Sequence, residues 1–386
     1  MSENVYVLGA ARTPIGSFQG ALASLSAAEL GAHAIKAALS NAELSADAVN
    51  EVIMGNVISA GLKQAPARQA MRTAGLPDSV HALTVNKVCG SGMKATMLGH
   101  DLIRAGSADV VVTGGMESMT NAPYLLTKAR AGQRMGHGQM FDSMFTDGLE
   151  DAETGGSMGT FAQSTADDYQ LTREAMDAYA IQSLERARSA MADGQLAEEI
   201  ASLEVAGTTV AEDEQPGRAK VEKIPTLRPA FKADGTITAA NSSSISDGAS
   251  ALVLGGDSAL DGHTPLARIV GHTTHSQHPS EFTIAPIGAI GKLLDKLGWN
   301  ADDVDLFEIN EAFAMVTMLA ISELNLDPER VNVYGGACAQ GHPIGSTGSR
   351  LIVTLAHAMQ RLDKKRGIAA LCIGGGEATA IALTRE

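Results

Sequence analysis

The chain repeats itself. "VYVLGAA" (5–11), "VNEVIMGNV" (49–57), the turn around Cys89 and "ADVVVTGGMESM" (108–119) come in that order. "PLARIVGHT" (265–273), "VDLFEINEAF" (304–313), "VNVYGGACAQGHPIGSTGSRLIVTLAHAM" (331–359) and "GIAALCIGGGEATAIAL" (367–383) then follow in the same order. A duplication of this length restricts the fold to two similar halves packed on each other, with equivalent turns converging. Val- and Ile-rich runs alternate with Ala/Leu-rich helical stretches such as 26–42, which predicts α/β layers with buried strands. Each half also carries Gly-Gly-x-Glu or Gly-Gly-Gly-Glu after an apolar strand. The segment between the halves, 119–245, breaks the pattern. It holds a Gly/Met-rich stretch, a helix over 172–194 that stops at Gly194, and the basic run "PGRAKVEKIPTLRPAFK" (216–232). An excursion that long is expected to bind something, although a solvated charged loop fits its composition equally well.

Composition narrows the partners. With 29 basic and 44 acidic side chains the formal charge is −15, which argues against a nucleic-acid backbone and requires a local basic patch for any anionic ligand. Three widely spaced cysteines make no disulfide framework and fit a reducing compartment. No run of about 18 apolar residues occurs, and the first residues show no basic-then-apolar leader. A cytoplasmic protein that makes no use of a membrane is expected.

Three side chains stand in settings suited to chemistry. In "TVNKVCGSGMKATMLG" (84–99), Cys89 joins a strand to a helix start, where unpaired N–H groups favour a thiolate. Gly90 and Gly92 there leave room for close approach to the backbone. A small buried hydrophobe is the alternative for such a cysteine, and this stretch alone leaves both open. His342, in "GACAQGHPIGSTGS", occupies the duplicate position, and imidazole is the natural base for a thiol. Cys372 ends the last long strand before three glycines. Two such cysteines are compatible with a disulfide, a metal pair or a two-thiol site. No Cys-x-x-Cys or tight His/Cys cluster occurs, which argues against zinc. Cys338 reads as packing, and His33, His100 and His357 as structural. Asn310 and Glu311 follow an apolar strand, where an amide holds a ligand or caps a helix.

Four motifs in order, "NKVCGSGMKA", "NEAFA", "GHPIG" and "CIGGG", together with "ARTPIGSFQGAL", "PARQA", "GGMESMTNAPYLL" and "ITAAN", resemble the thiolase family over essentially the full length, most closely its short-chain acetyl-CoA acetyltransferases. The resemblance implies a duplicated, layered αβαβα fold with a long loop domain: 1–118 plus 246–266, 119–245 (coenzyme A binding and tetramerisation), and 267–386. It implies that Cys89 takes the acyl group, that His342 takes up the Cys89 proton, and that a water held by Asn310 completes one oxyanion site. Cys372 is then the second acid/base, and the N–H groups of Cys89 and Gly374 form the other oxyanion hole. Ser243 and Phe231 match positions along the pantetheine arm, while Met158, Phe313 and Phe282 match positions near the acyl group. Arg218, with Lys220, is expected to seat phosphates. Coenzyme A thioesters are the implied substrates, with no metal or organic cofactor, in a homotetramer built as a dimer of dimers. A broader-chain thiolase of fatty-acid β-oxidation, working with a hydratase/dehydrogenase partner, is the alternative. A decarboxylating ketoacyl synthase would share the duplicated fold, but Cys372 as a second thiol favours a thiolase. Ser157, Tyr334, Cys338, Gln340 and Glu377 depart from the common pattern, and Gln340 and Glu377 are expected at the border of the acyl cavity.

Overall fold

The computed structural model describes residues 3–260 and 262–385. Its long strands are β1 (Val5–Arg12), β2 (Glu51–Gly55), β3 (His81–Val85), β4 (Val110–Ser118), β5 (Ser246–Gly255), β6 (Ala267–Ser276), β7 (Leu306–Ile309), β8 (Arg366–Ile373) and β9 (Glu377–Thr384). They form one sheet in the order β7-β8-β9-β6-β1-β5-β4-β2-β3, and the two-residue strand Gly16–Ser17 adds to β5. The order is nearly symmetric about the antiparallel β1/β6 junction. On one side β1/β5 and β5/β4 are antiparallel and β4/β2 and β2/β3 parallel. On the other β6/β9 and β9/β8 are antiparallel and β8/β7 parallel. The duplication is thus a repeat of topology as well as of sequence.

The match is incomplete at two places. The expected partner of β3 in the second half shrinks to a single parallel bridge, Phe307 to Val331. Glu117 lies inside β4, whereas the chain breaks at Gly374–Gly376 and Glu377 opens a new strand. The two Gly-Gly motifs therefore do different jobs.

The helices are α1 (Ala27–Asn41), α2 (Pro66–Thr73), α3 (Ser91–Arg104), α4 (Met158–Asp168), α5 (Arg173–Ala192), α6 (Ala285–Leu297), α7 (Ala314–Glu323) and α8 (Ile344–Arg361). The helix expected over 172–194 is α5: Thr172 caps it by accepting from the Ala175 N–H, and Gly194 turns the chain out at φ 69°. Helices α1 and α2 cover the outer face of the first half and α6 that of the second. Between the halves lie α3 and α8, each touching strands of both, so the layers are αβαβα. Strands β4 and β5 are buried along their whole length, as strands covered on both faces are, and carry Glu117 and Asp247 inside as well as apolar residues.

Glycine makes the central helix pair possible. A Cβ on Gly92 of α3 would sit 2.4 Å from Ser349 Oγ of α8, and one on Gly348 of α8 would sit 2.5 Å from the Met93 nitrogen of α3. Each helix lacks a side chain where the other presses, so the backbones close on one another. The turns preceding them, which carry Cys89 and His342, are brought together by that contact.

The segment 119–245 is tied down by charge. Buried Arg12 of β1 reaches Glu199 at 2.6 Å and Asp213 at 2.7 Å. Residues 212–214, "EDE", thus supply an anchor at Asp213 and Glu214, the latter accepting from the N–H groups of Ser17 and Ala21.

Candidate active site

A cavity of about 450 Å³ opens where the turns of both halves meet the inserted segment. Cys89, His342, Cys372 and Gly374 line it, as do Ser243, Phe231, Met158, Phe282 and Phe313. Nine side chains or backbone groups expected from sequence thus face one space. Two do not. Asn310 is buried two residues before the lining Ala312. Arg218 is exposed outside the cavity, its Nη1 donating to Glu214 Oε1 at 2.7 Å.

Cys89 precedes α3 in a tight turn. Val88 has a positive φ of 47°, the Ser91 hydroxyl donates to Val88 O at 2.6 Å, and the Lys87 N–H donates to Ser91 Oγ at 2.8 Å. The glycines here serve packing more than substrate approach: a Cβ on Gly90 would stand 2.3 Å from Ile373 Cδ1. Burial pushes the Cys89 thiol up to about 11, against the pull of the N–H groups of Gly374 and of Cys89 itself, and the Glu117 carboxylate raises it further. Burial thus outweighs the helix start. Cys372 is raised by deeper burial and then by the charge of Cys89, its own N–H opposing. The three cysteines are unbridged, so the disulfide alternative falls away.

His342 is held by its other nitrogen. Nδ1 lies 2.6 Å from Thr347 Oγ1, and the Thr347 hydroxyl donates its one hydrogen to Pro343 O at 3.0 Å. Nδ1 must then be the donor, which leaves the lone pair on Nε2. That Nε2 is buried with no hydrogen-bond partner among the described residues. Burial, with Arg350 nearby, lowers His342 to about 3, so the ring is neutral at physiological pH. Both side-chain polar atoms of Asn310 are likewise buried without a partner. Orphaned groups of this kind mark the seat of a water or a ligand atom.

Ser243 donates its hydroxyl to Ala312 O at 3.0 Å and accordingly fastens the loop 241–244 to the lining segment. Phe313 packs edge-on against Phe231 and Phe282, with ring centroids 6.1 and 6.5 Å away. This aromatic wall adjoins Cys372. Gln340 and Glu377 do not border the cavity: Gln340 Nε2 donates to Tyr334 O at 3.1 Å, and Glu377 pairs with Lys87.

The supporting roles of two buried carboxylates escaped the sequence reading, although Glu311 was singled out there beside Asn310. Buried Glu117 accepts from the N–H groups of Val57 at 3.0 Å, Ile58 at 3.2 Å and Gly345 at 2.9 Å, and from Asn56 Nδ2 at 2.9 Å. It thereby joins the first half to the start of α8. Glu311 does the same for the "NEAFA" loop, accepting from Tyr179, Ser183, Asn332 and the Cys338 N–H. Glu117 was marked earlier only by its place in the repeat and in "GGMESMTNAPYLL", and Ile344 only by lying in "GHPIG"; Phe145 and Leu149 also line the cavity. Among the described residues one group, His100, Asp101 and His272, has metal-ligand spacing, and none of the three lines the cavity.

Residues 5–258 match the family model of the thiolase N-terminal domain and residues 263–385 that of the thiolase C-terminal domain. Acetyl-CoA acetyltransferase of Schizosaccharomyces pombe is 47% identical over the whole of both chains. That of Escherichia coli is 46% identical over 99% of each. The crystal structure of Acat5 thiolase from Ascaris suum in complex with coenzyme A superposes with a TM-score of 0.95 at 43% identity, covering 99% of this chain and all of that one. Duplicated topology, layered helices and full-length likeness agree: the chain belongs to the thiolase family.

Proposed function

We propose that this thiolase is an acetyl-CoA acetyltransferase, interconverting two acetyl-CoA with acetoacetyl-CoA and coenzyme A through an acetyl-Cys89 intermediate. Full-length relatives carrying that name support the reaction. The observation that carries the roles is the convergence of two thiols and an unprotonated imidazole on one cavity.

In the cleavage direction, Cys89 sulfur bonds to the keto carbon while its proton passes to His342 Nε2. Thr347 has kept that nitrogen free. The carbon–carbon bond then breaks, and its electron pair leaves on the acetyl-CoA carbon, which takes the Cys372 proton. Coenzyme A binds next, gives its thiol proton to Cys372, and attacks acetyl-Cys89. The Cys89 sulfur leaves and recovers its proton from His342. Each half-reaction develops an oxyanion. The N–H groups of Cys89 and Gly374 serve the one on the acyl-enzyme side, and protonated His342 with a water on Asn310 serves the enolate. One such donor is worth roughly 3–4 kcal/mol of transition-state stabilisation. Coenzyme A is substrate here, and no metal or organic cofactor has a role. For Arg218 to meet coenzyme A phosphates its pair with Glu214 must open.

Phe282, Phe313 and Met158 favour short acyl groups by bulk. Thiolysis of a chain-length series tests this: acetoacetyl-CoA should be the best substrate and Cys89→Ala should be slower by at least about a thousandfold. Preference for a decanoyl-length chain would overturn the short-chain reading. A homotetramer is supported by Met135, 99% exposed, and Met140, 68% exposed, beside the strand pair Tyr124–Leu125 and Phe141–Asp142. Light scattering giving a monomer or dimer mass would reject it. Unbridged cysteines support a reducing, cytoplasmic setting, and among the described residues no helix is long and apolar enough to cross a membrane. A role in short-chain fatty-acid metabolism follows from the same substrates.

A further inference from the structure

Lys87 stands two residues before Cys89, and Glu377 three residues after Gly374. The Lys87 Nζ lies 2.6 Å from Glu377 Oε2, with side chains 20% and 32% exposed, and Ser276 Oγ donates to the other carboxylate oxygen at 3.2 Å. Each partner belongs to a tight turn. On one side the Gly90 N–H donates to Lys87 O at 3.0 Å, closing the turn that presents Cys89. On the other, Glu377 pairs with Ile373 across Gly374–Gly376, where Gly375 and Gly376 take φ of 88° and 85°. Gly90 abuts Ile373, so the turns already touch on their apolar side. The ion pair is a second bridge between them, and neither of its side chains lines the cavity.

We propose that Lys87 and Glu377 are positioning residues that set the gap between the Cys89 and Gly374 turns, and so the geometry of the two N–H groups that receive the acyl oxyanion. The inference rests on the acetyl-Cys89 reading. A partly exposed ion pair adds little to global stability. Displacing an oxyanion donor by a fraction of an ångström costs rate without costing affinity, because the ground-state thioester does not need it.

The test compares wild type, Glu377→Gln, Lys87→Glu, Glu377→Lys and the double reversal Lys87→Glu/Glu377→Lys in acetoacetyl-CoA thiolysis. In parallel, acetyl-CoA is used to label Cys89 in each. In Glu377→Gln, kcat should fall about tenfold or more while KM moves less than about threefold. The melting midpoint should shift by less than about 3 °C. The double reversal should recover a large part of the activity that either single reversal loses. Unchanged kcat in Glu377→Gln, or a double reversal no better than its parents, would overturn the clamp while labelled Cys89 leaves the reaction assignment standing. Failure of wild type to label at Cys89 would remove both.

Discussion

At the scale of single residues, the protonation of the candidate catalytic groups is set by burial more than by the helix start. Cys89 keeps its proton because burial outweighs two N–H donors, and His342 keeps its lone pair because burial disfavours the imidazolium. The resting pair is therefore thiol and neutral imidazole, and on the proposed mechanism the proton moves only as the sulfur attacks. Alkylation of Cys89 by iodoacetamide should then keep accelerating with pH across the range 7 to 10. A plateau near pH 7 would show a preformed thiolate–imidazolium pair instead. Cys372→Ala separates the two thiols in function: acetyl exchange between thioesters needs no proton at carbon, so exchange should survive while carbon–carbon cleavage fails. The positions of these three side chains were legible in the sequence, because turn glycines and duplicate placement single them out. Their protonation was not, since it depends on surroundings contributed by residues far along the chain.

At the scale of elements, the site depends on how α3 and α8 meet and on the buried carboxylates around them. Glu117 receives three backbone N–H groups, two from the loop after β2 and one from the start of α8, yet burial raises it to about 7 from an ordinary 4.5. A carboxyl held more protonated when folded contributes stability in full below its unfolded value, and loses it as pH rises through about 7. Between pH 5 and 7.5 wild type should therefore lose stability relative to Glu117→Gln, which does not titrate. The relative loss should be up to about 3 kcal/mol. Paired unfolding curves at the two pH values check this, and a constant difference would show that Glu117 is ionised throughout. The helix over 172–194 and the Cys89 strand–turn–helix could be read from local periodicity and capping residues. The glycine crossing of α3 and α8 could not. Gly92 and Ser349 are brought together by strand order, which no local pattern encodes.

At the scale of the whole molecule, duplication explains why the site lies where it does. Each half supplies a strand, a turn and a central helix; the first turn brings Cys89 and the second His342. Cys372 and Gly374 come from the last hairpin of the second half. The two similar α/β halves were visible as a repeat of motifs, whereas the order of the strands in the sheet was not. The unequal use of the two Gly-Gly segments was hidden, because one stays inside a strand under Gly345 and the other turns into a hairpin. The inserted segment, whose composition left a binding role and a solvated charged loop equally open, is pinned by Arg12 at Glu199 and Asp213. Convergence of both halves on one acyl carbon is the central claim, and peptide mass analysis after incubation with acetyl-CoA tests it most directly. One acetyl group should appear on Cys89 in wild type and in Cys372→Ala, with acetoacetyl-CoA formed only by wild type. Acetyl on Cys372, or acetoacetyl-CoA made by Cys372→Ala at the wild-type rate, would contradict it.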